Sequence, residues 1–381
     1  MRKILFLTAI ITLAGLLCLS GGSIMGTAQR VGGDGAGFEG WGQTVIVAKS
    51  GGDYVSINEA YTYAKTLSPS ATNRIMVKVM PGTYNESLVM DTSYIDLIGA
   101  SRYTTTISTA IAGYTVYMQK ANSLLKSFTI SNTIGDSSYY AITQDEAATI
   151  QDCYIANLTG SARGIETLVG KLLDSEIYID QNNCIKDTGA ASVIRNCRMW
   201  GTFVISNNHY GTVESSYLNS HDSNINTCKS GSLISNSVLI VRSGGNDSLI
   251  GHFQSGAKIS NSFLWQQNDI WCVVCDKPIS GTIVQSHLQV DGATCPIFRI
   301  GSGTGSTSTV YLADVSSNKG LNGTAEVIVN WLSSHYEILI ATATPSTDVG
   351  TGAMYFDNDD YCVYVNTGTA AAPSWQKVGS Q

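Results

Sequence analysis

A block of six residues recurs along most of the chain. Its first and sixth positions are apolar, its third is polar and its fourth is small or cysteine, as in Ile194-Arg-Asn-Cys-Arg-Met199 and Ile234-Ser-Asn-Ser-Val-Leu239. Successive copies start 19 to 25 residues apart, and a further copy is expected near Val310. The copies begin at Leu125, Ile150, Leu172, Ile194, Val213, Ile234, Ile259 and Ile283.

A unit of this length, with short strands and no helical periodicity, is typical of one coil of a parallel β-helix. The strand edges of each coil stay unpaired until the next coil stacks about 4.8 Å above it. The apolar positions then point inward and lie on their counterparts in the neighbouring coils. The repeat therefore predicts an all-β fold, a right-handed parallel β-helix, over residues 44–340.

The polar third position is expected at a tight bend between strands, where asparagine tolerates a positive φ better than most residues. Asn196, Asn236 and Asn261 are accordingly predicted to form an internal asparagine ladder. The small fourth position should form an inward column directly after the bend. That column comprises Cys153, Ser175, Cys197, Ser216, Ser237, Ser262 and Ser286.

A short helix is predicted before the coils. Ser56-Ile-Asn-Glu59 has the form of a capping box, and the helix should run from there to about Leu67. Because the terminal repeats of a solenoid need covering, the apolar stripe of this helix is expected to plug the open N-terminal end. The stripe consists of Ile57, Ala60, Tyr61 and Ala64.

The two ends of the chain differ from the coils. Residues 1–28 have the form of a secretory signal peptide, with a positive start, the apolar stretch Ile4–Leu19 and a small-residue cleavage site. That stretch is short for a membrane span, which needs about 20 apolar residues, so no span is expected after signal removal. Residues 29–43 are a glycine-rich leader, and residues 341–381 are predicted to form a small C-terminal β module.

Composition excludes several classes of protein. Charged residues make up 13% of the chain and the net charge is −7, without a dense run of lysine or arginine. A nucleic-acid partner is therefore not expected, because there is no basic stripe to displace counterions. The 38 glycines and only 6 prolines, together with the low charge, argue against a disordered chain and against a helical bundle.

Removal of the signal peptide with Cys18 would leave eight of the nine cysteines, and export would permit disulfides among them. Cys272 and Cys295 lie 23 residues apart, about one coil, at nearly equal offsets from their repeat starts. Stacked Cα atoms about 5 Å apart would suit a disulfide, and a stack of free thiols is the alternative. No cysteine spacing fits a metal site, so neither a metal nor a cofactor is expected.

Residues 44–101 carry motifs that resemble a known family. The matching stretches are Val47–Ala60, Ile75–Tyr84, Asn85-Glu-Ser87 and Asp96-Leu-Ile-Gly99. They are similar to the start of the pectin methylesterases and of the wider pectin-lyase-like group of right-handed β-helices. The resemblance implies the fold, but it says less about activity, because one fold serves many functions.

The catalytic residues that this resemblance implies are absent. Aligning the family's repeat cysteine with Cys153 puts Ser137 at the family's glutamine and Gly160 at its first aspartate. The following repeat puts Asn182 at the second aspartate, and no Gly-Arg-Pro-Trp motif follows. Ester hydrolysis there requires one carboxylate as nucleophile and another as acid–base, which glycine and asparagine cannot replace.

The last thirty residues have a second resemblance. Gly352–Val365, followed by Trp375-Gln-Lys-Val378, is similar to a short β module near the ends of phage tail and other virion or surface proteins. This resemblance implies a structural or attachment role.

A candidate binding face follows from counting along the coils. Five positions past the small column lie Leu158, Asp180, Thr202, His221, Arg242, Gln267 and Asp291, with Asp222, Asp269, Trp265 and Trp271 beside them. Carboxylates, a histidine, an arginine and indoles could together bind a polysaccharide by stacking and hydrogen bonding. The proposed ligand-binding residues are His221, Arg242, Trp265, Gln267, Trp271 and Asp291. The alternative, a hydrolytic or lytic site, would use Asp180, Asp222, Asp269 and Arg242.

Three functional hypotheses follow. The first is an exported or virion-surface β-helix with a structural or adhesive role that recognises an extracellular polysaccharide or surface glycan. The second is a carbohydrate-active enzyme, a divergent esterase, hydrolase or lyase. The third is a structural subunit in which copies associate as a trimer or a filament.

Overall fold

The structure is a computed structural model in which most of the chain from Trp41 onward is described. The described residues are 41–134, 136–157, 162–242, 248–267, 272–275, 280–291, 298–300, 308–313, 315–317, 327–331, 338–341, 354–357, 362–366 and 374–380. The predicted signal peptide and most of the predicted leader lie outside these residues.

One helix and 36 strands make up the regular structure of the described residues. The helix is α1 (Ile57–Thr66). The strands up to the middle of the chain are β1 (Gln43–Val47), β2 (Ile75–Val79), β3 (Gly82–Tyr84), β4 (Leu88–Met90), β5 (Ile95–Gly99), β6 (Thr105–Thr109), β7 (Tyr114–Met118), β8 (Leu124–Lys126), β9 (Thr129–Asn132), β10 (Tyr140–Gln144), β11 (Thr149–Gln151), β12 (Tyr154–Asn157), β13 (Arg163–Leu168), β14 (Lys171–Leu173), β15 (Glu176–Ile179), β16 (Asn183–Thr188), β17 (Val193–Arg195) and β18 (Arg198–His209). The later strands are β19 (Thr212–Glu214), β20 (Tyr217–Cys228), β21 (Leu233–Ser235), β22 (Val238–Val241), β23 (Ile250–Phe253), β24 (Lys258–Ser260), β25 (Phe263–Gln266), β26 (Val273–Cys275), β27 (Ser280–Val284), β28 (His287–Val290), β29 (Phe298–Ile300), β30 (Ser308–Ala313), β31 (Ser316–Ser317), β32 (Val327–Trp331), β33 (Ile338–Ala341), β34 (Met354–Asp357), β35 (Cys362–Asn366) and β36 (Trp375–Ser380).

The strands from β1 to β32 wind into a solenoid with three faces, each formed by parallel strands. The first face runs β1-β2-β5-β8-β11-β14-β17-β19-β21-β24-β27-β30-β32. The second face runs from β3 through β6, β9, β12, β15, β18, β20, β22, β25 and β28 to β31. The third runs from β4 through β7, β10, β13, β16, β18, β20, β23 and β26 to β29. Strands β18 and β20 continue through the corner between the second and third faces.

The register of the first face confirms the predicted parallel β-helix. Each repeat block stacks on the next, so that Ile150 lies between Leu125 and Leu172, and the later starts follow in the same way. The sixth positions stack likewise on the second face. All of these apolar side chains are buried, and they form one continuous core along the axis. The expected copy near Val310 lies in β30, where Leu312 stacks on Ile283.

The small column points into the core and links neighbouring coils. Its members are at most 5% exposed. Each serine hydroxyl accepts a hydrogen bond from the backbone N–H of the column residue in the preceding coil, and donates to the carbonyl two residues before itself. The N–H donors are those of Cys153, Cys197, Ser216, Ser237 and Ser262, at 3.1 to 3.3 Å. Removing a hydroxyl would leave a buried N–H without a partner.

The bend residues adopt the predicted conformation, but one expectation about them was wrong. Asn196, Asn236 and Asn261 have φ values of 54, 50 and 48°. Their side chains are exposed rather than internal. The bend turns the third position outward while the fourth turns inward, so the ladder runs along the outer surface. Asn196 donates from Nδ2 to Asp174 Oδ1 at 2.9 Å on that surface.

The N-terminal end of the solenoid is covered. Helix α1 buries the four residues of its predicted stripe. Ser56 caps the helix by accepting from the N–H of Glu59, and the carboxylate of Glu86 accepts from the N–H groups of Ile57 and Asn58 at 3.0 and 2.9 Å. The outer edge of β1 also pairs with the chain at Tyr54, whose carbonyl accepts from the N–H of Ala48 at 2.9 Å. This pairing satisfies part of an edge that would otherwise be open.

A small sheet follows the coils. Strand β33 pairs with β34 in parallel, and β34, β35 and β36 pair in antiparallel order. Within the described part of the chain, no helix has the length and apolar character needed to cross a membrane.

Candidate functional site

The outer side of the second face carries a set of aromatic, apolar and charged side chains, called here the aromatic strip. It consists of two adjacent outward columns. The first contains Tyr154, Glu176, Arg198, Tyr217, Val238, Phe263 and His287, and the second contains Tyr178, Trp200, Asn219, Ile240, Trp265 and Gln289. Asn219 and Ile240 are buried, so the exposed part of the second column is interrupted between Trp200 and Trp265. Seven strands spaced about 4.8 Å apart give the strip a length of roughly 29 Å along the solenoid axis.

Strand alternation produces this strip. In β15, Ile177 and Ile179 are buried while Glu176 and Tyr178 are partly exposed between them. The same pattern places Arg198 and Trp200 outward on either side of the buried Met199 in β18. Because the coils stack in register, outward residues of successive strands become neighbours. Large aromatic side chains are thus left partly exposed on the outer surface of the solenoid.

Trp200 is at the centre of the best-defined cluster. Its ring centroid lies 6.0 Å from that of Tyr178 and 6.3 Å from that of His221. The guanidinium carbon of Arg242 lies 4.5 Å from the Trp200 ring centroid, which is a cation–π geometry. The Trp200 indole thus contacts a phenol from β15, an imidazole from β20 and a guanidinium from the residue after β22.

Two adjoining grooves open at this part of the strip. The first, of about 480 Å³, is lined by Tyr154, Glu176, Ile177, Tyr178, Arg198, Met199, Trp200 and Tyr217. The second, of about 430 Å³, lies toward the outer bend, and its polar lining includes Arg102, Asp174, Asn196, Ser215 and Asn236. Glu176, Arg198 and Tyr217 line both. An aromatic surface therefore continues into a polar one.

The arginines at the groove differ in whether a carboxylate lies beside them. Arg102 donates to Glu176 Oε1 at 3.1 Å and lies 3.6 Å from Asp152 Oδ1. Arg198 and Arg242 are exposed, and neither forms an ion pair within the described residues. Two guanidinium groups beside Trp200 thus remain able to donate hydrogen bonds to an oxygen-rich ligand.

A second aromatic group lies nearer the C-terminal end of the strip. Phe263 and His287 stack with their centroids 5.3 Å apart and their planes at 8°. Trp265 lies 6.2 Å from Phe263, and its Nε1 donates to Asp291 Oδ2 at 2.9 Å. These residues are positioned by β25 and β28, which pair directly.

The structure brings several predicted site residues to one edge of the strip. His221 and Arg242 contact Trp200, and Trp265 contacts Asp291. Gln267 is partly exposed beside them, and its N–H donates to Val241 O at 3.0 Å. Trp271, like the predicted catalytic candidate Asp269, lies outside the described residues.

Two of the predicted catalytic carboxylates, Asp180 and Asp222, lie among the described residues, and they are on different coils. Asp180 is exposed at the turn after β15, and Asp222 is partly buried in β20. Strand β18 lies between β15 and β20, so the two backbones are about two strand spacings, roughly 10 Å, apart.

The positions aligned with the esterase residues hold other groups. Ser137 is exposed in a turn, and Gly160 lies outside the described residues. Asn182 accepts from Arg163 Nε at 3.0 Å through Oδ1, and Arg163 also donates to the Tyr140 hydroxyl at 2.6 Å. An amide in this network can serve neither as nucleophile nor as general acid–base.

The buried thiols and imidazole are unsuited to chemistry at the surface. Burial raises the pKa of the Cys153, Cys197 and Cys228 thiols to about 12. Burial also lowers the pKa of His209 to about 4. Cys272 is buried and Cys295 lies outside the described residues, so the disulfide between them stays a prediction. Within the described residues, no group of His, Cys, Asp and Glu could hold a metal ion.

Counting along the repeat missed the centre of the strip. Tyr154, Tyr178, Trp200, Tyr217 and Phe263 were not predicted as site residues. A usable signal was present, because the fifth position of the block is the outward position next to the small column. That position is aromatic at Tyr154, Tyr217 and Phe263.

Of the comparisons with known proteins, the one with solved structures found matches. The sequence matches no protein family and no curated protein. Pectin methylesterase from carrot is 15% identical, with a TM-score of 0.39, over 79% of this chain and 91% of that chain. The A-module of the Azotobacter vinelandii mannuronan C-5 epimerase AlgE4 is 10% identical, with a TM-score of 0.45, over 77% and 98%. Pectin methylesterase from Yersinia enterocolitica is 14% identical, with a TM-score of 0.35, over 74% and 95%.

Proposed function

We propose that this protein binds a glycan chain along the aromatic strip, as an exported or virion-surface protein with an adhesive role. The observation that carries the proposal is the cluster around Trp200, with Tyr178, His221 and Arg242 in contact with one indole at the edge of a groove.

The chemistry of the groove suits a sugar chain. Pyranose rings present a face of C–H groups that packs on an aromatic ring, and an edge of hydroxyl groups that needs hydrogen-bond partners. Trp200 and Tyr178 offer ring faces, while Arg198 and Glu176 offer donors and acceptors beside them. Because the strip repeats along the solenoid axis, an extended polymer can contact several coils at once.

The same face supports binding in preference to ester hydrolysis. Asn182 occupies the aligned position of one catalytic aspartate and is engaged with Arg163. The signal-like residues 1–28 and the C-terminal resemblance to virion surface modules agree with a location outside the cell or on a particle.

The test is binding of the full chain to polygalacturonate, alginate, dextran and a capsular polysaccharide, measured by affinity electrophoresis. We expect binding to at least one polymer and a loss of about tenfold in affinity for Trp200→Ala, since a ring contact contributes roughly 0.5–1.5 kcal/mol beyond its buried area. Tyr210→Ala is the matched control, because Tyr210 is 40% exposed and lies outside the strip. Equal affinities of the two variants, or no binding to any polymer, would contradict the proposal.

The enzymatic hypothesis is tested with the same polymers. Release of methanol, reducing ends or unsaturated uronates by the wild-type protein, abolished in Asp222→Ala or Asp180→Ala, would replace adhesion by catalysis.

A further inference from the structure

A tyrosine beside the groove is exposed yet held in place. Tyr103 follows β5 in the loop before β6, and it is 76% exposed, the largest value among the exposed large hydrophobic side chains of the described residues. Its hydroxyl accepts a hydrogen bond from Arg102 Nη2 at 2.9 Å. The guanidinium carbon lies 5.0 Å from the ring centroid. The ring is therefore positioned without being buried.

Arg102 is anchored by groups from later coils. It donates to Glu176 Oε1 at 3.1 Å and to Asp174 O at 3.3 Å, and it lies 3.6 Å from Asp152 Oδ1. Its side chain is only 15% exposed. The loop that carries Arg102 lies between β5 and β6. On the second face, β9 and β12 lie between β6 and β15, so the side chain of Arg102 contacts a residue three strands away. Arg102 lines the second groove together with Glu176, and Tyr103 is in direct contact with Arg102.

Stability alone gives a poor account of this arrangement. A ring that is 76% exposed buries little apolar area, so it contributes little to folding. Holding it still costs side-chain entropy, which a free surface tyrosine would keep. An exposed aromatic ring that is already ordered is what a ligand contact requires, because the ordering cost is then not paid on binding.

Resting on the glycan-binding function proposed above, we propose that Tyr103 is a second stacking subsite, and that Arg102 is the residue that positions it. The subsite lies at the N-terminal end of the strip, before Tyr154, Tyr178 and Trp200. A glycan that uses both Tyr103 and Trp200 must span several coils. The ligand class is therefore an extended oligosaccharide or polymer, bound along the axis, and not a single terminal sugar.

The experiment compares Tyr103→Ala with Trp200→Ala on size-fractionated oligosaccharides, from disaccharides to octasaccharides, of the polymer bound in the preceding test. Affinity is measured by isothermal titration calorimetry on the full chain. For the longest fragments we expect Tyr103→Ala to weaken binding about five- to tenfold. For the shortest fragments we expect Tyr103→Ala to weaken binding by less than about twofold, because these fragments reach only the cluster around Trp200. Tyr210→Ala is the control at both lengths.

Two further variants test the positioning role of Arg102. Tyr103→Phe keeps the ring but removes the hydroxyl, so it should retain most affinity. Arg102→Met should weaken long fragments as Tyr103→Ala does, while the double variant should add nothing further. Thermal unfolding of each variant shows whether the fold is retained.

The outcomes separate this inference from the proposed function. Loss of binding in Trp200→Ala with unchanged affinity of Tyr103→Ala at every length would overturn the second subsite and leave glycan binding in place. Equal losses for short and long fragments would also overturn it. Absence of binding by the wild-type protein would overturn both.

Discussion

The serine ladder inside the solenoid makes a prediction that can be worked from single contacts. Ser237 is 1% exposed. Its Oγ accepts from the N–H of Ser216 at 3.2 Å and donates to the carbonyl of Ser235 at 2.7 Å. In Ser237→Ala, that carbonyl keeps a hydrogen bond from the N–H of Ser215 at 3.1 Å. The N–H of Ser216 loses its partner in the dry interior.

An unsatisfied buried donor costs about 1–3 kcal/mol, and the small cavity left by the hydroxyl adds little. The cost should fall on the interface between two coils, because repeats in a solenoid interact mainly with their neighbours. If the coils open locally, amide exchange at Ser216 should accelerate by about 5- to 150-fold, which is the same free energy expressed as a ratio. Peptides from distant coils should exchange at the wild-type rate.

Hydrogen-exchange mass spectrometry across residues 213–241 measures this effect, with urea unfolding as a second readout. Ser235→Ala is the matched control, since it removes the same atom two residues away, and Ser235 lies partly exposed on the first face. If Ser237→Ala and Ser235→Ala gave the same protection and the same urea midpoint, the ladder would not stabilise coil stacking, and the argument from the buried N–H would be refuted.

Three other predictions follow from the described contacts. His209 has a pKa of about 4 in the folded protein against 6.5 when unfolded, so its contribution to stability is complete above pH 6.5 and is lost as the pH falls toward 4. The thermal midpoint of the wild-type protein should therefore drop between pH 6.5 and pH 4, and that of His209→Gln should drop less. Glu86→Ala should destabilise the protein by about 1 kcal/mol, because the carboxylate caps the first N–H groups of α1, and Glu86→Gln should lose less; urea unfolding monitored by circular dichroism would show it. Cys153, Cys197 and Cys228 should resist iodoacetamide in the native protein at pH 8 and react fully in urea, since burial raises the pKa of each thiol to about 12; labelling of these residues in native protein would contradict the described packing.

Much of the architecture could be predicted because it follows from periodicity. A coil cannot bury its own strand edges, so the apolar positions that start and end each block must stack on their counterparts. Ile150 and Ile194 were placed correctly by this reasoning, as were the capping helix and the small inward column. The asparagine ladder was assigned to the wrong side, because a positive φ predicts a bend but not the direction in which its side chain points.

The contacts at the site depended on how separate coils stack, which no local pattern contains. The count of five positions from the small column reached His221 and Arg242 but passed over Trp200, which lies three positions after Cys197. Stacking in register then placed an indole, a phenol and a guanidinium from separate coils together. The loop at Tyr103 is a stronger case, since Arg102 contacts residues 50 to 74 positions later in the chain.

The sequence by itself determined the winding of the backbone, because the hydrophobic effect and strand pairing act on every coil in the same way and leave one arrangement of the repeating apolar positions. The tertiary structure decided which outward side chains became neighbours, since those contacts depend on the register between coils and on the path of loops such as that of Tyr103. Outward positions carry no packing constraint of their own. The contacts among them therefore became apparent only once the coils were stacked.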